Sequence, residues 1–191
     1  LEAFPVVAVS VAYELEIAGL IQLLNAANIP PKRRERDDSH PFILAGGPLT
    51  FSNPLPLAGF VDAIIVGEAE TLTLEVLRTL EATAGRLAQL EAIAKIPHVY
   101  VPEIHGGVLP LVAKADTEEI PAWAPIRTPH AVLSDMFLIE TERGCSRMCT
   151  YCVMRRTTNG GMRLVPEDVV LGSVPEDVRR VFNAARTFPV K

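Results

Sequence analysis

Three cysteines, Cys145, Cys149 and Cys152, are all that the 191-residue chain contains, and they fall within eight residues in the spacing C-x3-C-x2-C. Thiolates this close on one loop can wrap one face of an iron–sulfur cube, each binding one iron. Three ligands for four irons leave one iron open, and an open coordination site separates a reactive centre from a closed electron carrier. Two plainer arrangements compete on the residues alone. A closed zinc site needs four ligands and would have to recruit a distant one such as His130. Reduced cysteines packed in a core are the other, although a polar, arginine-rich stretch is an odd place for them. An odd, clustered set makes a poor disulfide framework and points to a reducing compartment, the cytoplasm.

The surroundings of the cysteines carry charge. Residues 143 to 163 contain five arginines (Arg143, Arg147, Arg155, Arg156 and Arg163) and no acidic residue, a local +5 in a chain of net charge −5. Thiolate-bound clusters are anionic, so guanidinium groups nearby would stabilise them. An ordinary basic surface accounts for any single one of these arginines equally well. Asn159, Gly160 and Gly161 read as a turn whose glycines permit close backbone approach, or as a turn and nothing more.

The elements that must hold this loop follow from periodicity. Residues 136 to 140 read as a strand that runs straight into the cysteines. Earlier, residues 6 to 11 form a continuous apolar run, the pattern of a strand buried on both faces. Residues 13 to 27 switch to helical spacing, with Ile17, Leu20, Ile21 and Leu24 on one stripe, and Asn28, Pro30 and Pro31 end it. The charged run 32 to 38 predicts a solvated loop. Residues 42 to 45 and 61 to 66 are further buried strands, closed by Gly46, Gly47 and Pro48 and by Gly67 and Glu68. Two helices follow, with Leu72, Val76 and Leu80 on one stripe and Leu87, Leu90 and Ala94 on the other. Strands alternating with helices, at connections too long for hairpins, predict an α/β fold with an open, mainly parallel sheet over residues 1 to 114. Six prolines from Pro97 to Pro129 mark an extended connector, with residues 115 to 135 as the linker and Trp123 as its anchor. Residues 136 to 191 form the third section.

Composition sets the outer bounds. The chain is 49% hydrophobic and 21% charged, which supplies a packed core and argues against disorder. A net charge of −5 argues against a surface built to bind nucleic acid everywhere, and leaves room for a local basic patch. No run reaches the roughly 18 apolar residues of a membrane span. Residues 1 to 5 have neither the basic start nor the cleavage site of a signal peptide.

The cysteine segment resembles the radical S-adenosylmethionine (radical SAM) enzymes, whose signature is C-x3-C-x2-C with an aromatic residue, here Tyr151, just before the last cysteine. The resemblance implies that Cys145, Cys149 and Cys152 hold a 4Fe-4S cluster whose open iron is chelated by the amino and carboxylate groups of S-adenosylmethionine. It further implies that one electron, from a donor such as a flavodoxin or ferredoxin, cleaves this cofactor to methionine and a 5′-deoxyadenosyl radical. The radical would take a hydrogen atom from a substrate that the residues do not identify. Tyr151 would lie against the adenine side of the cofactor. The family's cysteine domain is a partial (β/α) barrel. A full barrel of this kind uses about 250 residues, so the 56 residues from 136 to 191 predict only its start, in a fragment inactive alone. The family's later Gly-Gly-Glu segment has no match after Cys152.

The front section is similar to the cobalamin-binding, Rossmann-type domain that precedes many radical SAM barrels. The similarity covers roughly residues 6 to 80 and rests on residues 42 to 48 and 61 to 70. Ligands of open α/β sheets sit beyond the carboxyl ends of the strands, and the resemblance implies that Gly46 and Gly47 let the backbone approach a cobalamin nucleotide tail. The family's Asp-x-His-x-x-Gly motif finds its nearest match at residues 38 to 43, which have Ile43 in place of glycine and precede a strand. His40 is therefore expected to be a loop residue and the domain a scaffold. The alternative enzyme is a methylthiotransferase acting on RNA or a ribosomal protein, whose cluster loop is similar to residues 149 to 153. That family carries three more cysteines in its front domain, and this chain has none there. The alternative from another class is a non-catalytic metal-binding interaction module.

Overall fold

Four strands, Val6–Ser10 (β1), Phe42–Gly46 (β2), Ala63–Ile65 (β3) and Val99–Tyr100 (β4), form one sheet in the order β1-β2-β3-β4. A computed structural model of the chain describes residues 1, 3–145, 147, 149–150 and 161–183. It divides into two compact units, Leu1–Lys114, which holds this sheet, and Ala115–Lys191. β1 pairs parallel with β2 from Val6↔Phe42 to Ser10↔Gly46, and β2 pairs parallel with β3 through Leu44↔Ala63 and Ala45↔Ile64. β4 joins β3 antiparallel. The fold is α/β with a mainly parallel sheet, as the alternation of strands and helices predicts.

Residues 42 to 45 are apolar throughout because both faces of β2 are covered. On one face Ile43, Ala45, Val7 and Ile64 pack with Leu20 and Leu24 of the helix Glu16–Ala26 (α1). On the other, Phe42, Leu44, Ala63 and Ile65 pack with Val76 and Leu80 of Glu70–Ala82 (α2) and with Leu90 and Ile93 of Arg86–Ile93 (α3). The expectation for residues 6 to 11 is corrected here. β1 is an edge strand, and Ala8 and Ser10 are exposed while Val7 and Val11 are buried.

α1 ends as its sequence suggests, and the mechanism is visible. Asn28 takes a left-handed φ of +56°, its N–H donates to the Asn25 carbonyl at 3.1 Å, and the Ile29 N–H donates to the Leu24 carbonyl at 2.9 Å. This paired closure satisfies two end carbonyls and buries Ile29 against the core, before Pro30 and Pro31 stop any continuation. The stripe expected on α3 is corrected. Leu87 is exposed, Leu90 is joined in the core by Ile93, and Ala94 packs partly buried against them. The charged run 32 to 38 also departs from a solvated loop, since Arg36 is buried. Residues 98 to 101, expected as extended connector, supply β4, with Tyr100 buried beside the short helix Pro102–His105 (α4).

In the second unit, Phe137–Ile139 (β5) is followed by Glu142–Arg143 (β6), Arg163–Leu164 (β7), the helix Glu167–Ser173 (α5) and Val181–Asn183 (β8). β5 and β8 are parallel with α5 between them in sequence, one β-α-β unit. Residues 115 to 135 belong to this unit. Trp123 bridges antiparallel to Ile139, the Ala124 N–H donates to the Leu138 carbonyl at 2.9 Å, and the Glu140 N–H to the Ala122 carbonyl at 2.8 Å. The backbone of Trp123 does this anchoring. Its indole is half exposed and rests on Phe137, with ring centroids 5.9 Å apart. Among the described residues no helix is long and apolar enough to cross a membrane.

Candidate functional site

β5 leads into the cysteine loop and the chain returns along β7. The pairs Glu142↔Leu164 and Arg143↔Arg163, with the Val165 N–H donating to the Thr141 carbonyl at 3.0 Å, build an antiparallel stem beneath residues 144 to 162. Gly144 and Gly161 stand at its top with φ of +94° and +93°. A Cβ on Gly144 would overlap the Gly161 carbonyl, so the two arms cross in contact. The close approach read from the glycine turn is therefore present at Gly161, and its partner Gly144 is the residue that must lack a side chain.

Cys145 and Cys149 are free, partly buried thiols. The Arg147 N–H donates to Cys145 Sγ at 3.4 Å. This donor set of thiols, one of them already accepting a backbone N–H, fits an iron–sulfur group. Cys152 and Tyr151 lie outside the described residues, as do Asn159 and Gly160. Among the described residues no group of three or more His, Cys, Asp or Glu could hold a metal, and His130 is exposed.

The arginines divide by what they touch. Arg143 forks onto Glu140, Nε to Oε1 at 2.8 Å and Nη2 to Oε2 at 2.7 Å. Arg163 Nη1 donates to the Ala115 carbonyl at 2.8 Å. Arg147 is exposed, and Arg155 and Arg156 lie outside the described residues. The local +5 is thus offset at its first member by a carboxylate three residues upstream, a partner the sequence window did not include.

At the carboxyl ends of the front sheet the glycines are engaged by the chain itself. Gly47 has a φ of +98°, and a Cβ there would lie 2.6 Å from Ser10 Oγ and 2.8 Å from the Val11 nitrogen. Gly67 has a φ of +107°, and a Cβ there would lie 2.5 Å from the Ala113 nitrogen and oxygen. The Ala113 N–H donates to the Val66 carbonyl at 2.8 Å and the Glu68 N–H to the Ala113 carbonyl at 3.1 Å, so residues near 113 lie along the end of β3. Thr50 joins the two glycine turns. Its hydroxyl donates to the Gly47 carbonyl at 2.7 Å and accepts the Gly67 N–H at 3.0 Å. Gly46 is looser, with the Ile65 carbonyl 3.9 Å from where a Cβ would be. The backbone approach that a cobalamin tail would need at Gly47 is taken by Ser10 and Val11, so Gly47 does not fit that role.

His40 sits in a tight local turn. Its Nδ1 lies 2.8 Å from Asp37 Oδ1, which also accepts the Ser39 hydroxyl at 2.6 Å and the Ser39 N–H at 2.9 Å. These bonds from Ser39, then from His40, hold the Asp37 carboxyl down to about 2. Sequence reasoning missed the strongest polar group of the front unit. Asp62 is buried, its Oδ2 accepts the Ile43 N–H at 2.7 Å, and its carboxylate meets Arg36 at 3.2 Å and Arg86 at 3.7 Å. Arg36 also donates to the carbonyls of Pro30, Pro31 and Phe60. Burial pulls the Arg36 guanidinium below its ordinary value, and Asp62 opposes that pull. The only sequence signal was an acid inside an apolar run, which calls for a distant cation. Clefts of about 370 and 410 Å³ open here, at the amino ends of the strands, beside His40 and Arg86 and beside Arg36 and Asp62.

Comparison with protein families matches residues 1–102 to the model described as radical SAM proteins, N-terminal. Among curated proteins, the chain is 24% identical over 154 residues to an uncharacterized protein of Methanocaldococcus jannaschii. That match takes in 80% of this chain and 30% of the relative, so the chain spans less than a third of the relative's length. No solved structure matches the chain.

Proposed function

Since the chain belongs to the family of radical SAM proteins, N-terminal, we propose that it provides the front domain and cluster loop of a radical SAM enzyme. Cys145, Cys149 and Cys152 are the proposed ligands of a 4Fe-4S cluster, with S-adenosylmethionine on the open iron. The observation that carries this reading is the C-x3-C-x2-C spacing on a loop gathered by the β6–β7 stem, where Cys145 and Cys149 are free. When bound, the cluster and its cofactor would supply a 5′-deoxyadenosyl radical for hydrogen abstraction. The chain's own residues do the holding. The stem brings the arms of the loop together, the Arg147 N–H donates to Cys145 Sγ, and Tyr151 is proposed to lie beside the adenine. A flavodoxin or ferredoxin would deliver the electron, and thiols reserved for iron suit a reducing cytoplasm.

For the front unit we propose a scaffold rather than a cobalamin site. Gly47 and Gly67 are required by contacts with Val11 and Ala113, and His40 is occupied by Asp37. The methylthiotransferase alternative gains nothing from residues 1 to 114, which contain no cysteine.

The test is anaerobic reconstitution with iron and sulfide. The expected product is a brown protein with about four irons per chain, whose reduced electron paramagnetic resonance (EPR) signal changes on adding S-adenosylmethionine. A colourless protein that takes one zinc would overturn the assignment in favour of a structural metal module.

A further inference from the structure

The stem under the cysteine loop is short. Two registered pairs and one flanking hydrogen bond join its arms, and a two-stranded ribbon of this size is marginal in water without side-chain support. Three side chains provide that support among the described residues. Arg163 ties the returning arm to the Ala115 carbonyl, and the Glu140–Arg143 fork ties the outgoing arm across the turn between β5 and β6. The fork is largely shielded, with side-chain exposures of 17% for Glu140 and 16% for Arg143. Glu140 is itself held, because its Oε2 accepts the Ala122 N–H at 3.2 Å. The guanidinium is thereby fixed against its own strand, two residues before Cys145.

Resting on the cluster reading above, we infer that Glu140, Arg143 and Gly144 are positioning residues that pre-form the cysteine loop for its cluster. The two arms of the stem meet where a Cβ on Gly144 would overlap the Gly161 carbonyl. Bringing the ends of the cysteine loop together costs conformational entropy. The glycine crossing holds the ends together and the fork fixes the outgoing arm before iron arrives, so the thiols need less ordering on binding. The planar fork is specific to arginine. Lysine keeps the charge and loses the second bond.

The experiment uses the full chain with Glu140→Gln, Arg143→Lys and the exchanged pair Glu140→Arg with Arg143→Glu. Each protein is reconstituted anaerobically, and iron content, cluster loss to a chelator and the EPR response to S-adenosylmethionine are read. Circular dichroism melts monitor folding alongside. Both single variants are expected to lose the cluster at least about tenfold faster and to blunt the EPR response, and the exchanged pair to recover part of both. A tenfold change corresponds to about 1.4 kcal/mol. Single variants that keep the iron, the chelator resistance and the EPR response of the parent would overturn the positioning role alone. A parent that takes up no iron would instead overturn the cluster reading and this role with it.

Discussion

Asp62 shows what one side chain can demand of its surroundings. Its carboxylate is inside the front unit, accepts the Ile43 N–H, and faces two guanidinium groups. A buried pair broken on one side leaves an uncompensated charge, which typically costs about 3–5 kcal/mol. Asp62→Ala strands Arg36 and Arg86 in this way, and urea titration should find the unfolding free energy lowered by about that amount. A loss below about 1 kcal/mol, the range of exposed pairs, would show that water reaches the site. Arg36 looked like one member of a solvated charge run, because local sequence says nothing about which of seven residues meets a carboxylate 26 positions away.

At the ends of the strands, glycines that resembled ligand contacts are spent on the chain's own turns. Gly67 combines a φ of +107° with Ala113 atoms 2.5 Å from any added Cβ. The backbone conformation alone costs about 1–3 kcal/mol for a residue with a side chain, and the overlap adds to it. Gly67→Ala should therefore lower the urea midpoint of protein that has never met a cofactor. A variant as stable as its parent would mean that the segment near Ala113 does not lie against β3. The alternation of strands and helices from β1 to α3 was readable from periodicity, since burial on one stripe or on both faces leaves a regular mark. The edge position of β1 was not, because an apolar strand looks the same whether or not a helix covers its second face.

Over the whole chain, the division at Lys114 has a consequence for the first unit. Its last described strand-like contact is Ala113, which is buried and pairs with Val66 and Glu68. A fragment of residues 1 to 114 should unfold cooperatively, with the sheet and both helical layers intact. Shortening it to residues 1 to 107 removes the Ala113 contacts and should lower its Tm by about 5 °C or more, a shift equal to roughly 1 kcal/mol in a domain of this size. Equal thermal melts for the two fragments would show that residues 108 to 114 are a tether and not part of the fold.

The spacing of the three cysteines and the strand before them were legible in residue type and order, because an apolar run leading into clustered thiols marks both in the sequence. The alternation of helix and strand was settled likewise, by the period of apolar burial. Folding in space determined the rest. It chose Glu140 as the partner of Arg143, set Gly144 against Gly161, filled the glycine turns of the front sheet with Val11 and Ala113, and drew Arg36 and Arg86 onto Asp62. Each of these is a contact between groups that periodicity does not relate. It exists because a buried charge, a forked guanidinium or a missing Cβ has to be matched by whatever the packed chain brings within reach.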